Sequence, residues 1–179
     1  MTTLPFIVQA GLTALIMSWL GGCVVSDMHS RQVPVTWTVI PLAAAGFWRL
    51  TFRDWQSVLL VCVLAVISDP PHKGWRVLAG SLALLAGVLA VGSFEHALLV
   101  MVVFAVWFLW ETGATGGADA KIIIAVVLFF GDGLLLFSIV IAGGFQGVVG
   151  WVKKQKTIPF TVSILLGTAV YLLVRVYVQ

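Results

Sequence analysis

Apolar residues run through this chain in eight blocks, each closed by a short polar, glycine- or proline-containing break. The blocks lie at about 4–25, 34–52, 55–68, 75–91, 95–110, 118–130, 134–152 and 157–178. None shows the apolar–polar alternation of a barrel strand, and most approach the ~20 residues that carry a helix across a bilayer. The breaks are chemically decisive. Pro34 opens the second block, where proline is tolerated in a first helical turn. Asp69-Pro70-Pro71-His72-Lys73-Gly74 and Gly131-Asp132-Gly133 stop the third and sixth blocks, because such residues do not continue a helix. Glycines at 143, 144, 147 and 150 in the seventh block suit close helix approach in lipid. The pattern predicts an all-α fold: one domain over 1–179, a polytopic transmembrane helix bundle of about eight spans, six being the alternative count. The third and sixth blocks are short, and the sixth is expected to be shielded inside the bundle.

Composition agrees with this pattern. The chain is 61% hydrophobic and 9% charged, with a mean hydropathy of +1.11, whereas soluble domains run near a quarter charged. A soluble enzyme class is thereby excluded, and the expected surroundings are a lipid bilayer, the cell (inner or cytoplasmic) membrane. The net charge of +3 is no nucleic-acid footprint, since the basic residues stand singly or in one short run beside apolar blocks. With the N-terminus outside, Arg31, Lys73, Arg76, Lys121, Lys153, Lys154 and Lys156 fall on the inner side and Arg49, Arg53 and Arg175 on the outer. Seven against three follows the positive-inside rule. Trp37, Trp48, Trp55, Trp75, Trp107, Trp110 and Trp151 fall near block ends, as interfacial belts require. The first block lacks a charged leader region and is expected to be a retained helix. Cys23 and Cys62 form no CxxC pair, so neither a zinc ribbon nor a disulfide framework is indicated, and both read as small buried hydrophobes.

The same topology sorts the seven acids. Asp54, Glu95 and Asp132 go outside; Asp27, Asp69, Glu111 and Asp119 go to the cytosolic side. Asp69 reads as a solvated turn residue; Glu111 ends a helix beside the turn that holds Asp119 and is a candidate, no more, for a third polar group there. Asp119 follows the glycine-rich run Gly113-Ala114-Thr115-Gly116-Gly117-Ala118, wedged between two apolar blocks. An ionisable residue there is a functional candidate, because charge in lipid is costly; the plainer alternative is a cap on the following helix. Asp27 stands at the cytosolic end of the first block. Two carboxylates that meet can divide the work of hydrolysis: one, ionised, takes a proton from water, and the other, protonated, hydrogen-bonds the scissile carbonyl.

Three blocks of residues carry a family resemblance. Asp27-x-x-x-Arg31-x-Val33-Pro34 resembles the first signature of type IV prepilin peptidases. Gly116-Gly117-Ala118-Asp119-Ala120-Lys121 resembles their Gly-x-Gly-Asp-x-Lys signature, and Ile158-Pro159-Phe160 with Gly167 resembles their third block. The order and spacing are similar, and the resemblance extends to archaeal preflagellin peptidases. Val35 stands where the family usually has Asn, and Ala118 where it usually has a second Gly. The resemblance implies an intramembrane aspartic endopeptidase of the GxGD type, with Asp27 and Asp119 as the catalytic pair. Gly116 and Gly117 would shape the turn, and Lys121, Arg31, Pro159 and Phe160 would support it. The implied substrate is a prepilin or prepilin-like protein, cut at the cytosolic membrane face between a short basic leader and a hydrophobic helix. No cofactor is implied. Many bacterial relatives also methylate the new N-terminus through a cytosolic domain with paired CxxC motifs; this chain has neither feature, so methyltransferase activity is not expected. No metal site is expected either, since His29 has no second His or Cys at ligand spacing. The competing readings are a non-catalytic pilin-binding homologue and a small proton-coupled transporter whose acids relay protons. The charge asymmetry yields a direct test. A reporter fused after Lys156 is expected in the cytosol and one at Gln179 outside; finding both on one side would remove the eight-span arrangement.

Overall fold

The computed structural model describes residues 6–52, 54–68, 73–90, 93–152 and 159–178. Among these there are eight α-helices and no strand: α1 Phe6–Ser30, α2 Val35–Thr51, α3 Trp55–Ile67, α4 Lys73–Ala90, α5 Phe94–Glu111, α6 Gly117–Phe130, α7 Leu135–Val152 and α8 Phe160–Val178. Each corresponds to one apolar block. The breaks work as their chemistry suggests. The Asp54 carboxylate caps α3 by accepting from the Ser57 N–H, and the Ser93 hydroxyl caps α5 by accepting from the His96 N–H. Gly131 closes α6 in the left-handed conformation, φ 64°, with its N–H donating to the Val127 carbonyl at 2.8 Å. Arg53, the Asp69–His72 stretch, Gly92, the lysines at 153, 154 and 156, and Ile158 lie outside the described residues.

One boundary differs from expectation. The first block was expected to end near residue 25, but α1 runs on to Ser30. No glycine or proline intervenes before Pro34, and the Ser30 hydroxyl donates to the Ser26 carbonyl at 2.8 Å within the helix. Asp27 therefore lies in the last turn of α1 rather than beyond it. The helix stops at Arg31, which takes φ 55° and donates its N–H to the Asp27 carbonyl at 2.9 Å.

The fold is made of two compact units: residues 1–37 with 134–179, and residues 38–133. In the first, α8 runs against α7 and α1. A methyl group on Gly167 would stand 2.5 Å from the Ile139 Cα and 2.8 Å from the Ser138 carbonyl oxygen, so the α7 and α8 backbones approach there as only glycine permits. Gly22 plays the same part for the Trp37 ring, and Trp19 Nε1 donates to the Trp37 carbonyl at 2.9 Å, fixing the chain after α1.

In the second unit α4 and α5 neighbour one another, α3 touches both, and α6 follows against α5. Ile122 to Phe130 of α6 are all buried, as expected of a helix that is apolar on every face. Trp107 lies over Gly80 and donates its indole N–H to the Ser68 hydroxyl at 2.9 Å. Arg49 and Asp54, both assigned to the outer side by the charge pattern, form a buried pair, 9% and 2% exposed. Arg49 Nε donates to Asp54 Oδ2 at 2.9 Å, and the Ser57 hydroxyl donates to the same carboxylate. The guanidinium also packs on Gly131, where a side chain would collide with it.

Apolar side chains are bare over much of the molecule. Phe137, Ile141, Phe145 and Trp151 of α7 are exposed, as are Ile7, Leu15 and Val25 of α1. Two described helices, Ile7–Ser30 and Phe94–Glu111, are long and apolar enough to cross a membrane by length and composition, with mean hydropathies of 1.6 and 1.7. Four shorter apolar stretches are Trp55–Ile67, Gly74–Leu89, Leu135–Val149 and Phe160–Arg175. Cys23 is buried as expected, whereas Cys62 is exposed on α3 and borders an apolar cleft with Val39, Phe47, Val58 and Leu128. The outward face of α3 there is as apolar as its inward face, so apolarity did not distinguish them. The contact at Gly167 gives a stability prediction. Gly167→Ala should force α7 and α8 apart at a cost of about 1–3 kcal/mol, the usual range for overpacking. Gly147→Ala, which meets nothing within 4 Å, should be neutral or stabilising by thermal unfolding in detergent. Equal midpoints for the two variants would show that the contact does not constrain the fold.

Candidate functional site

Asp27 is half-buried in the last turn of α1. Its Oδ2 accepts a hydrogen bond of 2.7 Å from the Thr161 hydroxyl, the second residue of α8. Thr161 is 2% exposed, so this bond is made away from water. The carboxylate stands beside the first turn of α8, where unpaired N–H groups present partial positive charge. Around it the α8 start is tied down. Gln146 of α7 donates its side-chain N–H to the Pro159 carbonyl at 3.0 Å, and its side-chain oxygen accepts from the Ser163 hydroxyl. The Phe160 ring lies on Gly143. On the other side, the Ser26 and Ser30 hydroxyls both donate to the Gln32 carbonyl, at 3.0 and 2.9 Å, folding the Arg31–Pro34 segment onto the end of α1. The first and third sequence blocks thus meet in one unit, at the Thr161–Asp27 bond.

The second unit holds the glycine-rich turn. α5 ends through Thr112, and the N–H groups of Gly113 and Ala114 return to the carbonyls of Trp110 and Leu109 at 2.9 and 2.8 Å. Gly113 takes φ 82°, the left-handed region in which a side chain is strained. Gly116 is the N-cap of α6 and contributes no side chain to the cap. Asp119 is the third residue of the helix, not its cap. Its carboxylate folds back over Gly116, where an added Cβ would lie 3.1 Å from Oδ2; Gly116 leaves the room that the carboxylate occupies. Gly117 lies under the Trp110 indole, 3.1 Å from its Nε1 to a built Cβ. Ala118 sits within α6 and not at positive φ, so alanine is accommodated there without backbone strain. The carboxylate of Glu111, the last residue of α5, accepts from Arg76 Nη1 of α4 at 2.7 Å. Glu111 is thereby an anchor for the turn rather than a third acid facing it.

Of the residues singled out in the sequence, Asp27, Arg31, Pro159 and Phe160 belong to the first unit, and Gly116, Gly117, Asp119 and Lys121 to the second. Arg31 is exposed and Lys121 half-buried. Val35 opens α2 and is exposed. Sequence reasoning missed Thr161, Gln146, Ser163 and Arg76. The available signal was polarity: Gln146, Thr161 and Ser163 interrupt apolar helices, and the first and last of them satisfy one another. No group of three or more His, Cys, Asp or Glu residues among the described residues is arranged to hold a metal ion.

Neither a family model, nor a curated protein, nor a solved structure matches this chain.

The Arg76–Glu111 pair predicts how the glycine-rich turn is held. Glu111 is 5% exposed and Arg76 20%, so Arg76→Met withdraws a guanidinium from a buried carboxylate. The expected cost is about 1–3 kcal/mol, with faster amide exchange over residues 112–116. An unchanged melting midpoint and unchanged exchange would show that the turn does not depend on the pair.

Proposed function

We propose that this protein is a membrane-embedded aspartic endopeptidase that removes the short basic leader of prepilins or prepilin-like proteins at the cytosolic membrane face. The observation that carries the reading is the hydrogen bond between Thr161 and Asp27. It joins the helix end that bears the first signature to the helix start that bears the third, at the carboxylate the chemistry needs. Asp119 in the first turn of α6, with its carboxylate over Gly116, supports the second signature in the same sense. The bare apolar faces of α1 and α7 support a lipid surround and a polytopic helix bundle, since soluble surfaces rarely carry so much contiguous apolar area.

In this reading Asp27 and Asp119 are the two acids of one reaction. The ionised one accepts a proton from water as the water oxygen attacks the scissile carbonyl carbon. The protonated one hydrogen-bonds the carbonyl oxygen as negative charge develops there. Collapse of the tetrahedral intermediate breaks the C–N bond, and the leaving amine takes a proton from the pair. Gly116 keeps space for the Asp119 carboxylate. Pro159 and Phe160 start α8 so that Thr161 reaches Asp27. The substrate's basic leader would remain on the cytosolic side with the inner-face cations, Arg31 and Lys121 among them, and its hydrophobic helix would lie in lipid. No cofactor or metal enters the reaction.

Co-expression with a candidate prepilin tests this by a size shift of the substrate. Asp27→Asn and Asp119→Asn should each abolish cleavage, while membrane levels of the variants stay near wild type. Cleavage by either variant would overturn the assignment. Binding of the prepilin without cleavage by the wild type would identify a non-catalytic homologue instead.

A further inference from the structure

We infer that Thr161 is a positioning residue for Asp27: its hydroxyl, fixed by the start of α8, sets the orientation of that carboxylate. This inference rests in part on the endopeptidase reading, but its first test does not.

The Thr161 hydroxyl donates to Asp27 Oδ2 at 2.7 Å, and Thr161 is 2% exposed. Threonine is stiff at χ1 because Cβ carries two heavy substituents, so the direction of the hydroxyl follows the backbone of α8. That backbone is fixed at its first turn. The Pro159 carbonyl is held by Gln146 at 3.0 Å, Gln146 is in turn engaged by Ser163, and one turn further on Gly167 seats α8 directly on the α7 backbone. Asp27 belongs to α1, 134 positions earlier in the chain. A rotation of the carboxylate about its own side-chain bonds would break the bond to Thr161. α8 therefore acts as a fixed arm that presents one donor to one oxygen of Asp27 and leaves Oδ1 for other work. Serine at 161 keeps the donor; valine keeps the shape and removes it.

Two measurements separate this inference from the reading it deepens. The first needs no substrate. A hydrophobic carbodiimide reacts with carboxyl groups that are free to meet it, and its adduct at Asp27 is quantified by mass spectrometry of the full-length protein in lipid vesicles near neutral pH. The exposed Glu95 serves as internal reference. Thr161→Val should raise the labelling rate of Asp27 several-fold, because the carboxyl loses the donor that holds Oδ2, and Thr161→Ser should stay at the wild-type rate. Equal rates in wild type and Thr161→Val would overturn the inference, and so would equal increases in the valine and serine variants, which would mark a packing effect. The second measurement uses a prepilin-like peptide with a basic leader. Thr161→Val should lower kcat about tenfold, as loss of a ~1.4 kcal/mol interaction made in the transition state would, with KM unchanged and Thr161→Ser restoring the rate. A rise in KM at constant kcat would overturn the inference. No cleavage by the wild type would remove the endopeptidase reading, and the labelling result would still decide the role of Thr161.

Discussion

Among the described residues, three acids inside this apolar protein are each met by a partner. Arg49 meets Asp54, Arg76 meets Glu111, and Asp27 meets the hydroxyl of Thr161. Removing an ion from water costs several kcal/mol unless a counter-charge or a good donor repays it, and a chain with 9% charged residues has few such partners. The consequence is geometric. Arg49 lies in the last turn of α2 and Asp54 caps α3; Glu111 is the last residue of α5, Asp27 lies in the last turn of α1 and Thr161 in the first turn of α8. Polar contacts gather at helix ends, where backbone groups are already unpaired, and the middle of α6 is left to apolar contact alone.

That constraint explains what could be read without coordinates. Helix count and boundaries were legible because each apolar block ends at residues that cannot continue a helix, such as Gly131 with its left-handed φ. The exception is instructive. Ser26, Asp27 and Ser30 are polar, yet polarity alone does not end a helix, and α1 continues through them because Ser30 satisfies itself on the Ser26 carbonyl. Asp27 and Asp119 were legible as candidates through their neighbours in sequence. The partners were not. Thr161 is 134 positions from Asp27 and Arg76 is 35 from Glu111, and nothing in local periodicity carries information across such separations. Cys62 was misjudged for a related reason: apolar helices in a chain this hydrophobic look alike on their buried and bare faces.

Polar residues inside the apolar helices show why the missing partners were hard to pick. Thr168 and Thr161 are both threonines of α8, and both are buried. Thr168 donates to the Ile164 carbonyl of its own helix at 2.7 Å, a local solution open to any helical threonine. Thr161 is the second residue of α8, so no helical residue lies four positions before it. Its hydroxyl is released for a distant acceptor. Ser81 and Ser18 follow Thr168, donating to Val77 and Ala14. Ser163, also near the start of α8, reaches across to Gln146. Position within the helix, not residue type, separates the two outcomes, and a proline just before an apolar block followed by Thr or Ser marks where the second is expected.

The two candidate aspartates are placed differently, each within its own unit. Asp119 lies in the first turn of its own helix, so the unpaired N–H groups nearest to it belong to α6 itself. Asp27 lies at the opposite kind of end, where α1 presents carbonyls, and its donor must come from elsewhere; α8 supplies it through Thr161. The Asp119 carboxylate folds back over Gly116, which leaves the room it occupies. A carboxylate served by another helix needs that helix held in register, which is the work of Gln146, Ser163 and the Gly167 contact. The difference is built from the direction of the backbone: one acid at a helix start, the other at a helix end.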